Sequence, residues 1–308
     1  MKCRTFGIAA LALTMAVATG ARAQEGAGDV VYVPTPQIVV EAMLRMAKVT
    51  PTDYVIDLGS GDGRMVITAA KKFGARGFGV DLDEVLLARS NKTAAAEGVA
   101  DRAQFFNRNL FETDFSQATV ITSYLLPEMN EKLRPKIFTL KPGTRVVAHD
   151  YHMGEWYPDE NDTLSVPEKK VGNPGVSYIY LWYVPANVAG KWVVRLTTDG
   201  KTQVVDAEFD QRFQMFEGTA KLTDRAGKIQ GGRVRGEGVT FWVASGSGPT
   251  ATRHEFVGKV SGDAMSGAVR IHGEKGVLKQ ATFSASRTAP GKMRTSGRDD
   301  PVIAAVAR

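Results

Sequence analysis

The sequence predicts an α/β fold over residues 31–184, a mostly parallel sheet covered by helices on both faces. An all-β antiparallel meander follows over 190–288, either a barrel or a curved sheet. Three observations predict this. From residue 54, short apolar runs alternate with segments of helical period, as strands buried on both faces require. One of these runs, Val55 to Leu58, ends in a glycine-rich turn that opens directly into a helix. Around residue 185 the helical period is replaced by short alternating runs separated by glycine-rich turns. A chain of 308 residues with 43% hydrophobic and 23% charged residues suits two globular domains.

The first segment stands apart. Lys2 and Arg4 precede an apolar run from Ile8 to Val17, and Ala21-Arg22-Ala23 offers an A-x-A cleavage site before Gln24. This is the pattern of a signal peptide over residues 1–23, and it predicts an exported, periplasmic or secreted protein. A mitochondrial-type presequence would share the basic residues and the lack of acids. The compact apolar run without interspersed arginines favours the signal peptide. The run is too short for a comfortable span and no later segment is long enough, so no stable membrane span is expected in the mature chain. Cys3, the only cysteine, leaves with the leader, so the mature chain carries no thiol. The leader's Lys2, Arg4 and Arg22 account for half of the formal net charge of +6. The mild basic excess that remains forms no Lys/Arg stripe with interleaved aromatics, and no nucleic-acid partner is expected.

The elements follow in order. Thr35 is a candidate N-cap with Pro36 at the first helical position, and Val39, Val40, Met43, Leu44 and Met46 form an apolar stripe at helical spacing. Tyr54 to Leu58 reads as a strand, Gly63 to Phe73 as a helix, Gly77 to Asp81 as a second strand, and a helix runs from there through Glu97. Further strands are expected at Ala103 to Asn107, Thr119 to Tyr124, Thr144 to His149 and, after an irregular excursion, Ser177 to Val184. Pro185 to Ala189 marks the boundary. Seven alternating runs follow: Lys191 to Thr197, Val204 to Phe209, Phe213 to Leu222, Val239 to Val243, His254 to Val260, Ala264 to Ile271 and Leu278 to Ser286. Residues 289–308 read as a polar, flexible tail.

The segment Asp57-Leu58-Gly59-Ser60-Gly61-Asp62-Gly63 carries the chemistry. A glycine turn over a helix N-terminus lets a ligand approach the backbone closely. The spacing is G-x-G-x-G, not the G-x-G-x-x-G of a dinucleotide fingerprint. Asp57 at the strand end suits a ligand carrying an ammonium and a sulfonium better than one carrying a pyrophosphate. Asp81, 22 residues after Gly59 at the end of the next strand, can accept from both ribose hydroxyls. A nicotinamide enzyme would account for Asp81 but for neither Asp57 nor the glycine spacing, and a plain tight turn would account for neither acid.

With Tyr32-Val33-Pro34-Thr35-Pro36 and Asp57 through Arg64, the sequence resembles class I S-adenosylmethionine-dependent methyltransferases. The resemblance is to those related to the ATP synthase c-subunit lysine methyltransferases, particularly their bacterial relatives. Tyr124-Leu125-Leu126-Pro127, Lys132-Leu133-Arg134-Pro135-Lys136, His149-Asp150 and Met153-Gly154-Glu155-Trp156 strengthen the likeness, which covers residues 31 to 184. It implies the seven-stranded Rossmann-like methyltransferase sheet, S-adenosylmethionine as methyl donor, and a lysine side chain as acceptor. Asp57, Gly59, Ser60, Gly61, Gly63 and Asp81 then become donor-binding candidates. Asn109 stands where the superfamily often places an acid near the adenine, and its amide oxygen can still accept a hydrogen bond.

Tyr124, after the fourth strand, and Asp150, after the fifth, are the candidate groups at the acceptor site, with plain packing and a loop cap as their alternatives. His149, His152 and Asp150 lack a further ligand nearby and read as structural, with no metal expected. Trp156, Tyr178, Tyr180, Trp182 and Tyr183 read as residues covering the sheet. Two functions remain open. One is an active methyltransferase acting on a protein or small-molecule acceptor. The other is an exported binding protein that keeps the fold without turnover and holds a ligand or partner on its β-domain.

Overall fold

The computed structural model describes residues 31–222, 226–246, 251–274 and 276–296. The expected signal peptide and residues 297–308 of the expected tail lie outside the described residues.

A seven-stranded sheet is built from β1 (Tyr54–Leu58), β2 (Arg76–Asp81), β3 (Ala103–Asn107), β4 (Val120–Ser123), β5 (Arg145–His149), β6 (Glu160–Val166) and β7 (Gly175–Tyr183). Its order is β3-β2-β1-β4-β5-β7-β6. The first five strands are parallel, and β7 and β6 join antiparallel at one edge. Helices α1 (Gln37–Met46), α2 (Arg64–Phe73), α3 (Glu84–Ala96) and α4 (Pro127–Ile137) supply the rest of this layer. Val55, Ile56 and Leu58 have no exposed surface, as a central strand covered on both faces demands.

Three local expectations are corrected. Thr35 does not cap α1: Pro36 holds that position without a side-chain bond, and the Thr35 hydroxyl lies 3.2 Å from Nδ1 of His149 instead. The stretch read as an irregular excursion contains β6. It is an edge strand whose Glu-Asn-Asp-Thr start is largely exposed, so it carries no hydrophobic signal. Helix α4 escaped the periodicity reading because it is polar and carries Pro135 inside it.

The second layer is a closed barrel formed by β8 (Gly190–Thr198), β9 (Lys201–Arg212), β10 (Met215–Ala220), β11 (Gly227–Arg235), β12 (Gly238–Ser245), β13 (Thr252–Ser261), β14 (Ala264–Gly273) and β15 (Gly276–Pro290). Each strand pairs antiparallel with the next, and β15 returns to β8 to close the ring. Of the two shapes the sequence allowed, the barrel is the one formed. Strand β11 was missing from the seven expected runs because Gly231 and Gly232 interrupt its alternation and only Ile229 and Val234 supply buried apolar side chains. Trp192, Phe209, Phe216, Phe241, Phe256 and Phe283 are buried together inside, with the Phe241 and Phe256 rings stacked at 4.5 Å. An eight-stranded barrel is just wide enough for such a filling. Its own side chains therefore occupy the place an interior ligand would need. β15 runs to Pro290 and Arg294 bridges to Arg212, so the start of the expected tail pairs with the barrel as far as residue 294.

Barrel and sheet meet at the β9–β10 turn. Phe213, buried at φ +53°, packs into the core of the sheet layer against Phe138. Gln214 Nε2 donates to the Tyr157 carbonyl at 2.7 Å, and Arg233 pairs with the buried Asp159 at 2.6 Å.

Candidate active site

In this strand order β1 has β2 on one side and β4 on the other, and the chain crosses over between them. The crevice at the carboxyl ends of β1 and β4 is therefore the place where an open parallel sheet binds its ligand. Asp57 lies at the end of β1 and Tyr124 directly after β4.

The turn after β1 is clamped to the neighbouring strand. The N–H groups of Gly59 and Ser60 both donate to the Val80 carbonyl, at 3.0 and 2.9 Å, and that of Gly61 donates to Asp81 Oδ2 at 2.8 Å. Gly61 and Gly63 adopt φ of +52° and +79°, which side chains resist. A Cβ on Gly61 would lie 2.4 Å from the Tyr32 ring, so the N-terminal segment rests directly on the turn. Arg64 ties the two together: it grips Asp62 through two nitrogens and donates to the Thr35 carbonyl at 2.7 Å.

Asp57, Gly59, Ser60, Gly61, Asp81 and Tyr124 line one cleft that is open to solvent. Three other expected residues do not line it. Gly63 caps α2 and lies against Phe105 and Ser90, so it supports the turn from beneath. Asn109 spends its amide oxygen on the N–H of Phe111 at 2.9 Å and so closes a turn, while Arg108, Leu110 and Phe111 supply that wall. Asp150 is buried behind Tyr124, whose hydroxyl donates to it at 3.1 Å. The sequence reading also missed Tyr32, Asp62 and Arg64. The last two sit within the glycine motif and were open to detection by their charge, but the approach of Tyr32 is a product of the fold.

His149 is fully buried and bonds the Ser177 hydroxyl at 2.9 Å. Burial pushes its pKa down to about 4, so the ring is neutral at physiological pH. His152 accepts from the Gly154 N–H at 3.1 Å. Trp156 and Trp182 are buried as sheet-covering residues, whereas Tyr178 retains 36% of its exposure.

The electrostatics name the kind of ligand. Asp57, Asp62 and Asp81 all face the cleft, and Arg64 neutralises only Asp62. Asp57 is buried and accepts from the Thr122 hydroxyl at 2.6 Å, but forms no ion pair among the described residues. Burial, followed by the charges of Asp81 and Asp62, pushes its pKa up to about 7. The Ser60 hydroxyl, also lining the cleft, is buried without a hydrogen-bond partner. A buried carboxylate without a cation, an unpartnered hydroxyl and a second carboxylate on the next strand fit a ligand bearing ammonium, sulfonium and ribose hydroxyls.

The strand order and this acid-lined glycine turn define a class I S-adenosylmethionine-dependent methyltransferase. Residues 57–160 match the family model described as the ANTKMT methyltransferase domain. The chain is 47% identical over 131 residues to a protein-lysine N-methyltransferase of Saccharolobus islandicus, covering 42% of this chain and 81% of that protein. It is 35% identical over 129 residues to the ATP synthase C-subunit lysine N-methyltransferase of Xenopus laevis, covering 42% of this chain and 56% of that protein. The chain belongs to this methyltransferase family, although it spans little more than half the length of the Xenopus relative. A crystal structure described as an RNA methyltransferase from Salinibacter ruber in complex with S-adenosyl-L-homocysteine is 47% identical. It covers 51% of this chain and 96% of its own, at a TM-score of 0.46. No helix among the described residues is long and apolar enough to cross a membrane.

A cationic ligand held by Asp57 would bind in a pH-dependent way. With its pKa at about 7 in the free protein, the folded state holds a proton that an ordinary aspartate, at 3.8, has released. Its contribution to stability is therefore full below pH 3.8 and is lost as pH rises through about 7. Binding a cationic ligand runs the other way, because it needs the carboxylate. Between pH 7 and 5.5 the ligand's ammonium stays charged, and affinity for S-adenosylhomocysteine is expected to fall by up to about tenfold per pH unit. Calorimetric titrations over that range test this. Asp57→Asn should flatten the profile, and an unchanged slope in that variant would remove Asp57 from the ammonium site.

Proposed function

We propose that the protein transfers methyl groups from S-adenosylmethionine to lysine side chains of protein acceptors, and that it does so outside the cytoplasm. The observation that carries the donor half is the acid-rich cleft formed by Asp57, the Gly59–Gly61 turn and Asp81, in which Asp57 has no ion-pair partner among the described residues. Bound there, S-adenosylmethionine would supply a methyl group already activated on a sulfonium. Asp57 would hold its ammonium and Asp81 its ribose hydroxyls, with the glycine turn admitting the chain between them. The protein's remaining task is to orient the acceptor and exclude water. Lysine as the acceptor is supported by the names of the archaeal and Xenopus relatives. Action outside the cytoplasm is supported by the leader pattern of residues 1–23.

One experiment separates these claims. Fractionated cells of the source organism are incubated with the protein and methyl-tritiated S-adenosylmethionine, and labelled bands are hydrolysed for amino-acid analysis. Label in methyllysine, in proteins of the envelope fraction, is the expected result. Label in another residue or in RNA overturns the lysine assignment, and label confined to cytosolic proteins overturns the location. An absence of label together with S-adenosylmethionine binding would favour the binding-protein alternative.

A further inference from the structure

Behind the acceptor side of the cleft lies a buried polar cluster that donor binding does not use. Asp150 closes β5 at φ +60°, a conformation that non-glycine residues resist, and its side chain has no exposed surface. Its Oδ2 accepts from the ammonium of Lys169 and, at 3.1 Å, from the Tyr124 hydroxyl. Its Oδ1 accepts from the N–H of Tyr178 at 3.1 Å. The Lys169 side chain is only 4% exposed and gives a further hydrogen bond to the Val176 carbonyl at 2.7 Å. On the other side, the neutral ring of His149 lies 4.0 Å from that of Tyr124.

The consequence concerns one proton. An ionised carboxylate has no hydrogen to give, so the Tyr124 O–H must point at Asp150. The ammonium of Lys169 holds Asp150 in that ionised form despite its burial. The phenol oxygen can then show only lone pairs to anything else that reaches it. Tyr124 is half-buried and lines the cleft. Gly172, at φ +75°, lies over the hydroxyl, so close that a Cβ there would come within 2.8 Å of the oxygen. Gly172 itself thus brings no side chain to occupy those lone pairs.

We propose that Lys169, acting through Asp150, is a positioning residue that fixes the Tyr124 oxygen as a hydrogen-bond acceptor, so that the site selects methyl acceptors bearing N–H, primary or partly methylated amines. The inference rests on the donor reading above. It predicts discrimination against acceptors that offer only lone pairs to the phenol, such as carboxylates, because two acceptors face to face leave both unsatisfied.

Sinefungin tests it without knowledge of the acceptor. This S-adenosylmethionine analogue carries a charged amine in place of the methylated sulfonium, whereas S-adenosylhomocysteine has only a thioether there. The wild-type protein is expected to prefer sinefungin by about tenfold or more, as one charged hydrogen bond allows. Tyr124→Phe removes the oxygen. The pair Lys169→Met with Asp150→Asn keeps the phenol but lets the new amide donate to it, which frees the hydroxyl to turn. Both should erase most of the preference, while Lys169→Arg, which keeps a cation beside Asp150, should retain it. Thermal melts of each variant distinguish loss of fold from loss of preference, and the ratio of two ligands on one protein is insensitive to partial unfolding. A preference that survives both changes, or is absent in the wild type, overturns the positioning role. Failure of S-adenosylhomocysteine itself to bind the folded wild type overturns the donor reading as well, and so identifies which claim has failed.

Discussion

Replacing Asp81 by alanine is expected to weaken S-adenosylmethionine binding by at least about 100-fold. Its carboxylate accepts from the Gly61 N–H at 2.8 Å and from the Asp83 N–H at 3.0 Å, so it secures the glycine turn while facing the cleft from the end of β2. Each of its oxygens has capacity left for a ribose hydroxyl. Alanine removes these acceptors and the tether of the turn together. At about 1.5–3 kcal/mol for each hydrogen bond to a charged group, two lost bonds amount to a loss of affinity of at least about 100-fold. Asp81→Asn retains one acceptor oxygen and should fall between the two. Calorimetric titration of all three proteins, with melting curves to establish folding, provides the check. Binding by Asp81→Ala within a few-fold of wild type would place the ribose elsewhere and remove the central support for the donor site.

Replacing Phe213 by alanine should produce the largest loss of stability. The ring belongs to the barrel by sequence and to the sheet by packing. Phe138 lies 5.9 Å away in the same cluster as the buried Trp156, and the Arg134 guanidinium sits 5.3 Å from the ring centre. Truncating a buried phenylalanine costs about 3–5 kcal/mol, part of it in the cavity left behind. Alanine at φ +53° also keeps the backbone penalty that phenylalanine bore. Phe213→Gly therefore serves as the informative partner, since it opens the same cavity but relieves the backbone. Calorimetry should show the wild type unfolding in one transition and Phe213→Ala in two, because the ring joins two cores that could otherwise melt apart. A single transition with an unchanged midpoint would mean that the surrounding contacts, Gln214 to Tyr157 and Arg233 to Asp159, hold the junction without it.

Much of the candidate donor cleft was legible because strand ends are local. Asp57, Gly59, Gly61 and Asp81 are set by the alternation of strand and helix, and the parallel pairing of β1 with β2 then makes their meeting inevitable. Asn109 misled because its position after β3 was right but its amide is consumed within its own turn, a bond between neighbours that spacing does not reveal. Strands β6 and β11 were missed for a related reason. Periodicity detects burial, and an edge strand rich in acids or a strand broken by paired glycines buries too little to register.

The sequence by itself determined the layering of the chain, a parallel sheet with helices followed by a β-rich unit, and the acid and glycine positions at the ends of its first two strands. Hydrophobic period and turn chemistry are sufficient for that, since both act over a few residues. The tertiary structure alone decided three things: that the meander closes as a barrel filled by its own aromatics, that Tyr32 and Arg64 wall the cleft, and that Lys169 reaches Asp150 beneath Tyr124. Each of these joins residues 19 or more positions apart, or depends on the return of β15 to β8. Such contacts are fixed by how whole elements pack and by which buried charges must find partners, and no local pattern encodes them.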